Sequence, residues 1–244
     1  MPPRITWLGH ATVLIELDGV RFLTDPLLRS RVAHLRREGA APAPPPAIDA
    51  VLLSHLHHDH ADLPSLKRLE PRPRVMCPVG AGEFLARAGF PATEELAVGA
   101  TTEIGAVEVE ATPAEHFGGR HPFGPRAEAI GFVVRGEHSI YFAGDTDLFD
   151  KMASLGPIDF ALLPIAGYGP GLGPGHLDPE RAARAAALLR PHIAIPIHWG
   201  TLHPRWAGRG AWFTRPPHAF AAHVADLAPD VTVRILAPGE ELEL

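Results

Sequence analysis

Ser54-His55-Leu56-His57-His58-Asp59-His60 places four histidines and one aspartate within seven residues. Crowded imidazoles repel one another when protonated and need partners when neutral, so something must hold such a group together. The stretch directly follows an apolar run, and four other apolar runs end in the same way. "RFLT" delivers Asp25, "AVLLS" His55, "VEVEATPAE" His116, "SIYFAG" Asp145 and "IAIPI" His198. Strands can bring such ends together while the sheet fixes their backbones. Histidine and aspartate converging without cysteine suit zinc, manganese or iron. His55 and His57 stand two apart in an extended segment, so their rings project to one side. Asp59 and His60 follow where the chain turns, and face a second point. Two ions about 3.5–4 Å apart need about six or seven protein ligands, one of them bridging. His55, His57, Asp59, His60, His116 and His198, with Asp145 as the bridge, supply that number.

Singly, these residues have plainer readings. Asp145 in "FAGDT" alone is a turn aspartate, and His116 and His198 alone are hydrogen-bonded structural histidines. Only the group makes ligands of them. Asp25 in "TDP" reads as an acceptor that orients a ligand histidine, with turn chemistry before Pro26 as the competing account. His10 beside Gly9 reads as structural, His58 as pointing away from the ions, and Cys77 as a small core residue. His34, His138, His218 and His223 read as surface or helix histidines. Arg120, Arg126, Arg205 and Arg209 fall on predicted loops and read as solvated, with contact to an anionic substrate as the alternative.

The elements that must position this set are short. "ITWLGHATVLIEL" and "VRFLTDP" are strand-like and separated by Asp18-Gly19, a hairpin signal. "APAPPP" at 41–46 is a stiff loop without backbone donors. "IDAVLLS" reads as a buried strand and "DLPSLKRLE" as a short helix capped by Asp62. "RVMCPV" is a strand and "GAGEFLARAG" a helix stopped by Gly89. Strands follow in "TTEIG", "VEVEATPA", "AIGFVVRG" and "SIYFAGD". "DPERAARAAALLR" is a helix with Asp178 as N-cap and Pro179 at its first position. "HIAIPIHWG" is a strand, "HAFAAHVADLA" a helix, and "VTVRILAPGEELEL" closes with strands. Two strand-rich blocks, each followed by helices, predict two packed sheets with helices outside, in one domain over 1–244.

Bulk properties narrow the function classes. The 244 residues carry 22 Lys and Arg against 28 Asp and Glu, a formal charge of −6, with no long basic run. That balance argues against nucleic-acid binding. The single cysteine excludes a disulfide framework and a Cys-rich zinc module. The N-terminus is broken by Trp7, Gly9, His10 and Glu16 where a signal peptide needs an apolar core. No window approaches the roughly 18 apolar residues of a membrane span. The expectation is a soluble, cytoplasmic protein acting on a small molecule.

"HLHHDH" at 55–60, "EHF" at 115–117, "AGDT" at 143–146 and "PIHWGT" at 196–201, in that order, resemble the metallo-β-lactamase-fold hydrolases over nearly the whole chain. "TWLGHATVLIELDGVRFLTDP" and "GHLDPERAARAA" look like the branch containing N-acylphosphatidylethanolamine phospholipase D and ascorbate-6-phosphate lactonase. The resemblance implies an α+β fold: an αββα sandwich of two mixed sheets, helices on the outer faces, and a dinuclear site at one edge. It assigns His55, His57 and His116 to one ion, Asp59, His60 and His198 to the other, and Asp145 to both. It also places His176, which opens "HLDPE" and otherwise reads as a loop residue beside a helix cap, near the substrate. The loop at 119–129 and the segment "LHPRWAGRGAWFTRPP" depart from that branch. The expected enzyme is a hydrolase with two divalent ions, zinc or alternatively manganese, that activates water against a phosphodiester or a lactone or ester. Asp59 or Asp145 is expected to orient the nucleophile, and His176 to donate to the developing anion or leaving group. A β-lactamase-type amide hydrolase and a mononuclear iron redox enzyme are the alternatives.

Overall fold

Gly9 and His10 both adopt positive φ, 98° and 57°, and this turns the first apolar run into a hairpin of two strands. β1 (Arg4–Gly9) pairs antiparallel with β2 (Thr12–Leu17). A second left-handed turn at Asp18-Gly19, φ 49° and 81°, leads into β3 (Val20–Thr24). The structure, a computed structural model, describes residues 3–121, 123–169, 171–207 and 209–243. Pro122 of the 119–129 loop and Gly208 of the Trp- and Arg-rich segment therefore lie outside the described residues.

A short hairpin follows, β4 (Arg31–Val32) and β5 (Leu35–Arg37). β6 (Ala50–Leu52) runs parallel to β3 and leads to α1 (Leu63–Leu66), whose Asp62 cap accepts from the Ser65 amide. β7 (Arg74–Pro78), α2 (Gly82–Arg87) and β8 (Thr93–Leu96) complete the first half. The second half begins with β9 (Thr101–Ile104), β10 (Val107–Pro113), β11 (Ile130–Arg135) and β12 (Ser139–Phe142). After a 3-10 turn come β13 (Phe160–Pro164) and α3 (Pro179–Leu189), the latter capped by Asp178 accepting from the Arg181 amide. β14 (Ile193–Ile197), β15 (Leu202–Pro204), α4 (Ala211–Thr214) and α5 (Pro216–Leu227) precede β16 (Thr232–Val233) and β17 (Glu241–Glu243).

The strands form two seven-stranded mixed sheets, ordered β17-β1-β2-β3-β6-β7-β8 and β16-β14-β13-β12-β11-β10-β9, with a small sheet β15-β5-β4 beside them. Ile5, Trp7, Phe22, Phe132 and Phe142 are buried in one cluster between the large sheets. Removing each such side chain from water is worth about 1.5–3 kcal/mol. α3 and α5 cover the outer face of the second sheet through Ala182, Ala186, Phe220 and Val224. α1 and α2 cover the first through Leu66 and Leu85. This is the αββα sandwich.

Beside the short strands β4, β5, β8 and β15, which carry no sequence expectation, two further details differ from the sequence reading. β13 carries no strand expectation, because all five residues of "FALLP" are buried and a strand covered on both faces shows no alternation. The two C-terminal strands also part company: β16 extends the second sheet, while β17 pairs with β1, Arg4 opposite Glu243.

The topology fixes where chemistry can occur. β3 and β6 are parallel, as are β12, β13 and β14. β10 lies antiparallel to β11, which lies antiparallel to β12, so β10 and β12 run the same way. The carboxyl ends of these strands therefore open on a shared edge.

Candidate metal centre

At that edge the structure brings together His55, His57, Asp59, His60, His116, Asp145 and His198. Four follow a strand end by one to three residues, and His57, Asp59 and His60 lie further along the loop after β6. His55 comes three after β6, His116 three after β10, Asp145 three after β12, and His198 directly after β14. His57 Nδ1 lies 3.0 Å from His55 Nε2 and 3.2 Å from His116 Nε2. His60 Nε2 lies 3.2 Å from Asp145 Oδ2 and 3.6 Å from Asp59 Oδ2, and His198 Nε2 lies 3.3 Å from Asp145 Oδ1. An Asp145 carboxylate oxygen also lies within 4.8 Å of a His116 ring nitrogen, so Asp145 stands between the two groups of imidazoles. Gly144 before it has φ 62°, and a Cβ there would sit 2.6 Å from Ser54 Cβ, so only glycine lets the two loops meet.

The outer nitrogens of these rings are spoken for. His116 Nδ1 is 2.7 Å from the Gly175 carbonyl, and His198 Nδ1 is 2.7 Å from the Ala166 carbonyl. A carbonyl only accepts, so both Nδ1 atoms carry the proton. His60 Nδ1 donates to Asp25 Oδ2 at 2.7 Å. The Ser54 hydroxyl donates to the same oxygen at 2.5 Å, leaving its lone pairs to accept from His55 Nδ1 at 2.9 Å. In the neutral form of each of these four rings, the form that binds a metal ion, Nε2 is then a bare lone pair, and all four point inward. His60 Nε2, His198 Nε2 and Asp145 Oδ1 are buried and make no hydrogen bond. Lone pairs facing carboxylate oxygens at these distances repel unless a cation lies between them. This donor set fits divalent ions: tetrahedral zinc with about 2.0–2.1 Å bonds to nitrogen separates its ligand atoms by about 3.3 Å.

Electrostatics agree with the geometry. Burial pushes the His55 and His57 rings down, the latter to about 4, and neighbouring His60 and His116 add to this. Burial would raise Asp59 and Asp145, but the surrounding histidines hold both well below the usual carboxylate range. For His60 the burial penalty is overcome by Asp145, Asp59 and Asp25, which raise it well above an ordinary histidine. A proton there stands where a cation would bind.

Three further residues are placed by the fold. His10, which the sequence read as structural, lies in the site itself. Its Nε2 is 3.0 Å from Asp59 Oδ2, its ring centroid lies 4.0 Å from that of His198 with the planes tilted by 43°, and its carbonyl accepts from the His198 amide at 3.0 Å. Burial and then His198 lower its pKa to about 3, so it is neutral and donates to Asp59. The signal was its place beside Gly9 at a strand end, hidden because the turn there was not legible. His176 is half-buried, with Nδ1 near the Gly173 and Pro174 carbonyls and Nε2 3.6 Å from Asp145 Oδ2. Arg120 is a correction: it is not a freely solvated loop arginine. It donates to the Leu56 and Ala61 carbonyls and to His58 Nδ1. His58 itself points outward and is exposed.

A cleft of about 260 Å³ opens over His57 and Asp59. Val32, Ala33, His34 and Leu35 of the β4–β5 hairpin form one wall, and Tyr168 and Arg120 complete it. Among the described residues, no helix is long and apolar enough to cross a membrane.

Comparison with known proteins supports this picture. Residues 20–199 match the family model described as "Beta-lactamase superfamily domain". A UPF0173 metal-dependent hydrolase of Methanopyrus kandleri is 35% identical over 98% of this chain and 99% of its own length. An N-acyl-phosphatidylethanolamine-hydrolyzing phospholipase D of Caenorhabditis elegans is 34% identical over 80% of this chain, which spans 63% of that protein. Among solved structures, CmlA, a diiron beta-hydroxylase from Streptomyces venezuelae, superposes with a TM-score of 0.77 over 100% of this chain and 54% of its own. At 22% identity that likeness is one of fold. With its sandwich, its edge of convergent lone pairs and these relatives, the chain belongs to the metallo-β-lactamase-fold metal-dependent hydrolases of the beta-lactamase superfamily.

Proposed function

We propose that this protein is a dinuclear hydrolase of small anionic phosphodiesters, with lactones or other esters as the next substrate class. The observation that carries the reading is the set of four inward Nε2 lone pairs, each fixed by an acceptor on the opposite ring nitrogen. His55, His57 and His116 would hold one ion, Asp59, His60 and His198 the other, and Asp145 both. Zinc suits this histidine-rich set, and manganese is the alternative. When bound, such ions lower the pKa of water toward neutrality and neutralise charge on the attacked group.

The chain's own residues supply the rest. Asp59, fixed on one oxygen by His10, orients the nucleophile. Burial disfavours a charged His176 ring, but Asp145 and the Gly173 and Pro174 carbonyls raise its pKa, so its imidazolium form would donate from Nε2, 3.6 Å from Asp145 Oδ2, to the developing anion or leaving group. The cleft bounded by Val32, Leu35 and Tyr168 excludes water from one side of the substrate.

The test is hydrolysis of bis(p-nitrophenyl) phosphate by zinc- or manganese-loaded protein against a chelated control. Metal-dependent turnover is expected. Protein shown to hold two ions but inactive on this ester would move the substrate to lactones. His57→Ala and Asp145→Ala are each expected to lower the bound-metal count. Normal metal content and activity in either would refute the ligand assignment.

A further inference from the structure

We infer that Arg120 is a positioning residue that sets the spacing of the metal-ligating loop by clamping both of its ends. The loop from Leu56 to Ala61 carries His57, Asp59 and His60, three of the seven proposed ligands. Arg120 Nη1 donates to the Leu56 carbonyl at 3.2 Å and to the Ala61 carbonyl at 3.0 Å, so a single nitrogen spans the loop. Arg120 Nη2 donates to His58 Nδ1 at 2.9 Å, turning that ring outward between the inward-facing His57 and Asp59. The guanidinium carbon lies 4.8 Å from the centre of the Phe84 ring of α2, a cation–π contact. Its carrier segment is itself anchored, because the Leu56 amide donates to the Gly118 carbonyl at 2.9 Å and His116 lies four residues before Arg120. The backbones of four proposed ligands, His57, Asp59, His60 and His116, are thereby tied across two segments that no strand pairing joins.

The chemistry requires arginine. Two carbonyls and a ring nitrogen lie in the fan of a planar fork, which a lysine ammonium matches at only some of these points. Among the described residues Arg120 has no carboxylate partner, so its donors serve the loop's carbonyls and ring. It lines the cleft but touches none of the proposed ligand atoms, so its effect on them runs through the loop.

This inference rests on the dinuclear reading for its effect on metal, but not for its effect on the loop. The experiment therefore reads both. In metal-free protein, hydrogen–deuterium exchange across 55–61 is expected to rise in Arg120→Ala, with far-UV circular dichroism and exchange in β14 unchanged. Titration with Co2+ is expected to show at least one ion bound about 10- to 100-fold more weakly, with an altered ligand-field spectrum. Arg120→Lys should lie between, and millimolar guanidinium should partly restore Arg120→Ala. Unchanged exchange across 55–61 in both variants would overturn the clamp. Raised exchange with unchanged cobalt affinity and spectrum would overturn its role in metal spacing. Failure of the wild-type protein to bind cobalt would count against the dinuclear reading and leave the exchange result to decide the clamp.

Discussion

Asp25→Asn separates hydrogen-bond polarity from shape at the centre's most connected carboxylate. Asp25 is fully buried and accepts three hydrogen bonds: the Ser54 amide at 2.8 Å on Oδ1, and the Ser54 hydroxyl at 2.5 Å and His60 Nδ1 at 2.7 Å on Oδ2. Its φ is 30°, a region asparagine tolerates as well as aspartate, so the backbone is not perturbed. An amide offers one acceptor oxygen where three donors converge. With that oxygen toward the Ser54 amide, the NH2 group faces His60 Nδ1, and the His60 proton must move to Nε2. That proton then occupies the lone pair proposed to bind metal. With the amide flipped, two N–H groups face each other, leaving a buried donor unmet at a cost of about 1–3 kcal/mol. Either way metal affinity should fall about 10- to 100-fold, or about 1.4–2.8 kcal/mol, while the metal-free fold loses about 1–3 kcal/mol. Chelator-competition titrations with zinc and thermal melts of metal-free protein measure the two effects separately. Wild-type zinc affinity in a folded Asp25→Asn protein would refute the tautomer argument.

Other outcomes follow from the same geometry. His176→Ala should retain both ions and lower kcat by about 10²- to 10⁴-fold, and an unchanged kcat would remove it from the chemistry. Gly175→Ala forces a side chain onto φ 77° with its Cβ 3.1 Å from His116 Nδ1; a carbonyl moved off that nitrogen should cost more than about 1 kcal/mol of stability and weaken zinc at His57. Metal-free protein should lose stability as pH falls from 6.5 toward 4. Burial holds His10 near 3 and His57 near 4 when folded, so the unfolded chain takes up protons first, and stability rises with pH across that window. Melting temperatures at pH 7, 5.5 and 4.5 measure this, and a flat series would contradict it.

Much of the fold was legible because many elements carry local signals. Asp18-Gly19 gave a hairpin through its left-handed turn, and Asp62 and Asp178 announced helix starts as side-chain caps. Where signals were non-local, the reading stopped. β13 is buried on both faces and so has no period. The small β15-β5-β4 sheet joins segments far apart in sequence, Leu35 opposite Pro204, which no local pattern encodes. The turn at Gly9-His10 lies inside an apolar run, and missing it concealed His10.

The sequence by itself singled out the seven proposed ligands, though not His10 beside them. Residue types and strand-end spacing singled out the histidines and aspartates, because those features are written along the chain. The tertiary structure decided which nitrogen of each ring faces inward. That choice is made by acceptors from elsewhere: Asp25 after β3, the Ala166 carbonyl after β13, the Gly175 carbonyl before α3, and Ser54 held by Asp25. An imidazole has two nearly equivalent tautomers, and only a partner brought by folding selects one. The same holds for Arg120, whose place in sequence suggests a solvated loop and whose place in space spans the ends of another.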